Sequence, residues 1–116
     1  MLLWLNTLDQ QQTTIGLVSD GRLVVSRRLA ARSEQLAAHI QRLVGKRAID
    51  GIIVAAGPSG FTASRSGVVL ANALGYAWQV PVTVVSSTPD WSIVRFPKRF
   101  MPIMPVYDRQ PSITLQ

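Results

Sequence analysis

Cysteine is absent from this chain, which excludes disulfides, thiolate nucleophiles and cysteine-held metal centres. Histidine occurs once, as His39, so neither a Ser-His-Asp arrangement nor a His/carboxylate metal cluster can be read from the spacing. Acidic residues are also few. The carboxylates Asp9, Asp20, Glu34, Asp50, Asp90 and Asp108 are scattered along the sequence. Asp9 and Asp20 fall in predicted turns, where Asp is favoured by hydrogen bonding to its own backbone. No acid, base and nucleophile are assembled. The expectation is a protein that is not an enzyme, with no cofactor and no metal. Long apolar runs are missing too, and none approaches the ~18 residues a membrane helix needs. The opening Met1-Leu2-Leu3-Trp4-Leu5 is apolar but short, lacks a basic leader and meets Asn6 at once, so a secretory signal is not expected. These absences set the expectation of a cytoplasmic protein that does not engage membranes.

The chain does contain enough apolar material for one core. Its 116 residues suit a single domain, and 47% apolar against 16% charged residues argues for a folded chain. So low a charged share suggests that a partner covers part of the surface. Lys and Arg outnumber Asp and Glu by 12 to 6, giving a net charge of +6. Two readings of that excess stand side by side. Arg27, Arg28, Arg95, Lys98 and Arg99 can form a nucleic-acid-binding set. Alternatively, scattered arginines keep an apolar protein soluble, since the basic groupings are mere pairs and no Gly/aromatic RNA motif accompanies them.

Residues 2–8 read as a strand buried on both faces, and residues 13–19 as a second strand. Asp20-Gly21 is a hairpin turn, and residues 22–29 return as a third strand. Ser33 caps a helix with Glu34 in its first turn, and Leu36, Ile40, Leu43 and Val44 make its apolar face. Gly45, Lys46 and Arg47 close it. Residues 51–56 form a wholly apolar strand, expected to lie parallel to an earlier one. Gly57-Pro58-Ser59-Gly60 is a tight loop before a second helix that runs to about Trp78, with Thr62 as its N-cap. Pro81 breaks that helix, and residues 82–85 are another buried strand. The order is three strands in a meander, then helix, strand, helix, strand: an α/β layer on a mixed sheet. Beyond Pro89 the prolines exclude a long helix, and residues 103–107 and 113–115 are candidate edge strands.

In the second helix, Ala63, Gly67, Ala71 and Gly75 recur every four residues and form one stripe of small side chains. Each helical glycine costs roughly 1 kcal/mol against alanine, and close packing is the natural compensation. Val69, Leu70, Ala73, Leu74, Ala77 and Trp78 add a broad apolar surface. A helix on a sheet needs one apolar face, and this one has almost enough for two. Either the first helix covers the second face, or another chain does. The Gly57–Gly60 loop ahead of a helix invites comparison with a phosphate cradle. It lacks the lysine of a P-loop, and Pro58 removes a donor, so a structural turn is the better reading.

The run Ala56-Gly57-Pro58-Ser59-Gly60-Phe61-Thr62-Ala63-Ser64-Arg65-Ser66-Gly67 resembles the signature of the TsaB (YeaZ) family, usually GPGSFTGLRIG. Gly57, Pro58, Phe61, Thr62, Arg65 and Gly67 match in place. Ser59 and Gly60 exchange the family order, Ala63-Ser64 stand for Gly-Leu, and Ser66 stands for Ile. Leu3-Trp4-Leu5-Asn6-Thr7 is similar to the family's opening strand, and Arg32-Ser33-Glu34-Gln35-Leu36 to a helix start. Val80-Pro81-Val82 and Val85-Ser86-Ser87 are similar to the last strand of its first domain. The likeness spans roughly residues 1–88. Met104-Pro105-Val106-Tyr107-Asp108-Arg109 resembles the first strand of the family's second domain.

The resemblance implies one half of an actin-like ATPase, ribonuclease-H-like in topology. It implies residues 1–88 as a TsaB-like N-terminal α/β domain, and residues 89–116 as a proline-rich C-terminal extension, the remnant of a second domain. It further implies a subunit without catalysis of its own. Such a subunit pairs with a second copy or with TsaD, the catalytic subunit that makes threonylcarbamoyladenosine in tRNA, and meets tRNA only indirectly. The family associates through two helices, here about 33–45 and 62–78. The expected interface is Leu36, His39, Ile40, Leu43, Gly67, Leu70, Ala71, Leu74, Gly75 and Trp78. Asn6 stands where the superfamily carries an acidic residue and Leu8 replaces serine, which weakens any magnesium or nucleotide role on that strand. The alternative function is a small basic tRNA- or nucleic-acid-binding module.

Overall fold

The computed structural model describes residues 1–9, 11–30, 36–55, 61–86 and 88–100, with the backbone alone for 61–66. Its elements are β1 (Leu2–Asn6), β2 (Gln12–Ser19), β3 (Arg22–Ala30), α1 (Leu36–Val44), β4 (Gly51–Ala55), α2 (Phe61–Trp78) and β5 (Val82–Val85), followed by a 3-10 turn at Trp91–Ile93. The strands form one sheet in the order β3-β2-β1-β4-β5. The pairs β1–β2 and β2–β3 are antiparallel, while β1–β4 and β4–β5 are parallel. The expected meander and mixed sheet are therefore both present.

Local chemistry sets the element ends. At the β2–β3 turn both Asp20 and Gly21 have positive φ, the type I′ geometry that matches strand twist and suits Asp-Gly. Helix α1 ends at Gly45, whose φ of 58° and N–H bond to the Gln41 carbonyl make an αL cap. Helix α2 ends without glycine at the turn. Gln79 takes φ 56°, its N–H meets the Tyr76 carbonyl, and the Val80 N–H meets that of Gly75. This is a Schellman motif, and the Gln79 amide adds a 2.7 Å bond to the Tyr76 carbonyl. Pro81 follows, where a helix could not continue. Thr62 was expected to cap α2, but the helix already begins at Phe61, which places Thr62 within its first turn. Ser33, Glu34 and the candidate edge strands beyond residue 100 lie outside the described residues.

The sheet is apolar on both faces because β1 and β4 run through its middle. On one face Leu3, Leu5, Ile15, Leu17, Ile52, Val54 and Val82 pack with Ile40 and Val44 of α1 and Ala71 of α2. On the other face Trp4, Val18, Ile53 and Ala55 pack with Trp91, Val94 and Phe96. The Trp91 ring meets Trp4 edge-on, with centroids 4.8 Å apart at 76°. The Phe96 ring covers Gly51, where a Cβ would stand 2.8 Å from Phe96 Cε1. Phe100 then joins the helix-covered core and lies 6.1 Å from the Tyr76 ring. Residues 91–100 thus contribute to both halves of the core, first under the sheet and then beside α2.

Asp90 caps the 3-10 turn. Its carboxylate accepts the Ser92 hydroxyl at 2.6 Å and the Ser92 N–H at 3.0 Å. These two bonds, the hydroxyl first, hold its pKa below the ordinary carboxylate value. A folded pKa below the unfolded one means that the cap's contribution is complete at neutral pH and fades as pH falls through the folded value. Near-UV circular dichroism of the Trp4–Trp91 pair is therefore expected to change only on the acid side of the usual carboxylate range. Asp90→Asn, which cannot titrate, is expected to remove that part of the change.

Gly75 provides a second test. Alanine there gains roughly 1 kcal/mol of helix propensity. Its Cβ would stand 2.6 Å from Val82 Cγ2 and 2.8 Å from Phe100 Cδ1, however. Overpacking costs typically about 1–3 kcal/mol, so Gly75→Ala is expected to destabilise the fold by about 1 kcal/mol net. Urea denaturation measures the sign, and a stabilised variant would contradict the close packing of α2 on β5.

Candidate interaction surface

The two helices lie on the same sheet face and use their apolar residues differently. Helix α1 buries Ile40 and Val44, while α2 buries Val68 and Ala71. The glycine steps of α2 face the sheet. A Cβ on Gly67 would come 2.5 Å from Thr7 Oγ1, and one on Gly75 would meet Val82 and Phe100. The small-residue stripe therefore brings α2 close to its own sheet. Ile40, Gly67, Ala71 and Gly75 of the expected interface are buried within the subunit's own core. The physical reason is that a thin helix face serves a parallel sheet as well as it serves a second helix.

The remaining expected residues divide. Leu36, Leu70, Leu74 and Trp78 are half-buried and pack on the core. Trp78 also borders a cavity of about 520 Å³ with Gln41, Val44, Gly45, Arg47, Ala48 and Ile49, at the C-terminal ends of both helices. His39 and Leu43 line a groove between α1 and β3, with Leu43 also packed on the core.

The outward face of α2 takes Val69, Ala73 and Ala77 from the broad apolar surface read in the sequence, none of them in the expected interface set. Val69 is 58% exposed and Tyr76 68%, and Ala73 and Ala77 are exposed between and beside them. Positions 69, 73, 76 and 77 follow the i, i+4, i+7, i+8 pattern of one helical stripe. No charged residue occurs from Gly67 to Trp78. Sequence periodicity could not choose between the two apolar faces of α2, because only the position of the sheet decides which is outward.

Of the signature residues, Gly57 and Pro58 lie outside the described residues, and Phe61, Thr62 and Arg65 fall in the first two turns of α2. Gly67 is buried over Thr7. Within the candidate nucleic-acid set, Arg27 and Arg28 are parted. Arg27 lines the α1–β3 groove, whereas Arg28 lines a cleft with Asn6, Asp9, Gln12 and Thr14 near the β1–β2 connection. Neighbouring strand residues point to opposite faces, so a basic pair in sequence is divided in space. Arg95, Lys98 and Arg99 lie exposed on the segment that follows the 3-10 turn. In the cleft, the Asn6 side-chain oxygen accepts the Leu8 N–H at 2.9 Å and an Asp9 carboxylate oxygen the Gln11 N–H at 2.7 Å, both local turn bonds. Among the described residues, no group of three His, Cys, Asp or Glu is placed to hold a metal, and no helix is long and apolar enough to cross a membrane.

A mixed sheet of this order, with two helices on one face, defines one half of a ribonuclease-H-like, actin-like ATPase fold. The family model described as "TsaD: tRNA N6-adenosine threonylcarbamoyltransferase" matches residues 25–94, more than half of the chain, and the chain belongs to that family. It is TsaB-like within it. YeaZ from Pseudomonas aeruginosa matches with a TM-score of 0.61 at 27% identity, covering 73% of this chain and 43% of that one. A crystal structure of an uncharacterized protein with similarity to peptidase YEAZ from Pseudomonas aeruginosa matches at 0.62 and 28%, covering 73% and 42%. The chain therefore spans less than half the length of either structure. No curated protein matches it.

The two faces of α2 predict opposite responses to one substitution. Ala71→Glu places a carboxylate against the closed sheet, and is expected to cost about 3 kcal/mol or more. Ala73→Glu, two residues on and outward, is expected to change monomer stability by no more than about 0.5 kcal/mol. Denaturation at protein concentrations too low for assembly separates them, because association then adds nothing to stability. Equal losses would contradict the orientation of α2.

Proposed function

We propose that this chain is a non-catalytic, TsaB-like interaction subunit in tRNA threonylcarbamoyladenosine modification. It associates through its helix-bearing face with a second copy or with a TsaD-like partner. The observation that carries the reading is the uncharged outward stripe of α2, with Val69 58% and Tyr76 68% exposed. Contiguous exposed apolar residues on a helix are costly to leave in water, and they mark surfaces that another chain covers. Family membership supplies the biological context: the matched model is that of the tRNA-modifying enzyme, and the chain resembles its YeaZ branch.

The division of labour follows from the same geometry. The sheet and the inward faces of α1 and α2 make a self-sufficient core. The outward stripe of α2 is then free to bind without disturbing it. Asn6 and Asp9 each commit one side-chain oxygen to the turn between β1 and β2, which suits a subunit that uses this connection for shape. The reading gives the chain no reaction of its own.

Val69→Glu and Ala73→Glu place carboxylates on the outward stripe and leave the core intact. Both are expected to convert an assembled species to monomer in size-exclusion chromatography with light scattering. Both are also expected to abolish co-purification with a TsaD-like protein from the same host. Burying one unpaired carboxylate at a helix interface costs several kcal/mol, so a hundredfold or greater loss of affinity is anticipated. Unchanged assembly in both variants would remove the proposal.

A further inference from the structure

The fold leaves a second surface that the helix-stripe association does not use. Between α1 and the edge strand β3 lies a groove of about 390 Å³. Its floor is aliphatic, made by Ile15, Val25, Leu29 and Leu43, and its rim carries Arg27, Arg42 and Arg47 beside His39. Arg27, Arg42 and Arg47 are all exposed. Arg47 donates to the Leu43 carbonyl at 3.1 Å, and Arg27 to that of Ser26 at 3.0 Å, so these two guanidinium groups are held at the rim by backbone oxygens. No described carboxylate pairs with the three arginines or lines the groove.

We propose that this groove binds an acidic, aliphatic segment of a partner protein, laid in extended form along the groove between α1 and β3. Two features select that occupant. The charge of the rim requires a partner rich in Asp or Glu, because three neighbouring arginines without counter-charges repel one another and favour anions. The aliphatic floor asks for Leu, Ile or Val between those carboxylates. A single-stranded RNA would instead need aromatic platforms for its bases, and the described lining has none. An extended segment lying over the groove, without joining the sheet, presents alternate side chains downward and upward, aliphatic to the floor and acidic toward the rim.

The test uses fluorescein-labelled synthetic peptides of alternating Glu and Leu, with a Lys-Leu peptide and an all-Glu peptide as comparisons, read by fluorescence anisotropy. The Glu-Leu peptide is expected to bind, and the Lys-Leu and all-Glu peptides to bind at least about tenfold more weakly. Arg42→Glu is expected to weaken the Glu-Leu peptide about tenfold or more. Arg28→Glu makes the same charge change on the opposite sheet face and is expected to leave binding unchanged. The outward stripe of α2 is untouched, so light scattering of Arg42→Glu is expected to match the unaltered chain whether or not that stripe mediates assembly. Equal losses in Arg42→Glu and Arg28→Glu would reduce the effect to net charge and overturn the groove. Equal binding of the all-Glu peptide would overturn the role of the floor. Arg42-dependent binding of a labelled single-stranded RNA, without binding of the Glu-Leu peptide, would replace the proposed occupant altogether.

Discussion

The architecture depends on keeping water from both faces of β1 and β4. These two strands pair in parallel at the middle of the sheet, and almost every side chain on them is apolar. A parallel pair so composed is stable only between two covering layers. The helices provide one layer. The other is provided by residues 91–96, with Trp91 edge-on to Trp4 and Phe96 over Gly51. A segment with too many prolines for a long helix can still cover a sheet, since aromatic side chains bring large apolar area on few residues.

The same constraint explains the glycines of α2. A helix carrying Gly67 and Gly75 sacrifices intrinsic stability, and it regains that loss by approaching Thr7, Val82 and Phe100 too closely for any larger side chain. The close approach is directed inward. Among the described residues, the opposite side of α2 touches the core only where Tyr76 meets Phe100 edge-on, and that side is nevertheless apolar. Packing on the sheet is thus carried by one face of the helix, and the opposite face is left largely exposed.

Charge follows a similar division. Of the basic residues of β3, Arg27 lines the α1 groove and Arg28 the cleft at the β1–β2 connection, so this pair does not form one basic surface. A broad basic stripe suits a polyanion backbone. Separate arginines around an aliphatic floor suit a shorter and more particular anion. The net charge of +6 alone does not distinguish these arrangements.

Much of this was legible in the residues themselves. The Asp20-Gly21 turn, the αL cap at Gly45, the meander and the parallel return after α1 all follow from local sterics and side-chain period, and the signature around Phe61 and Thr62 pointed to the family. What the sequence could not decide was direction. Periodicity shows that α2 is apolar on two sides, yet only the position of the sheet determines that Gly67, Ala71 and Gly75 face inward and Val69, Ala73 and Tyr76 outward. Likewise, adjacency in sequence joined Arg27 to Arg28, and the pleat of β3 then turned them to opposite faces. Local structure is set by neighbours along the chain, whereas the facing of a side chain is set by whichever distant element arrives to cover it.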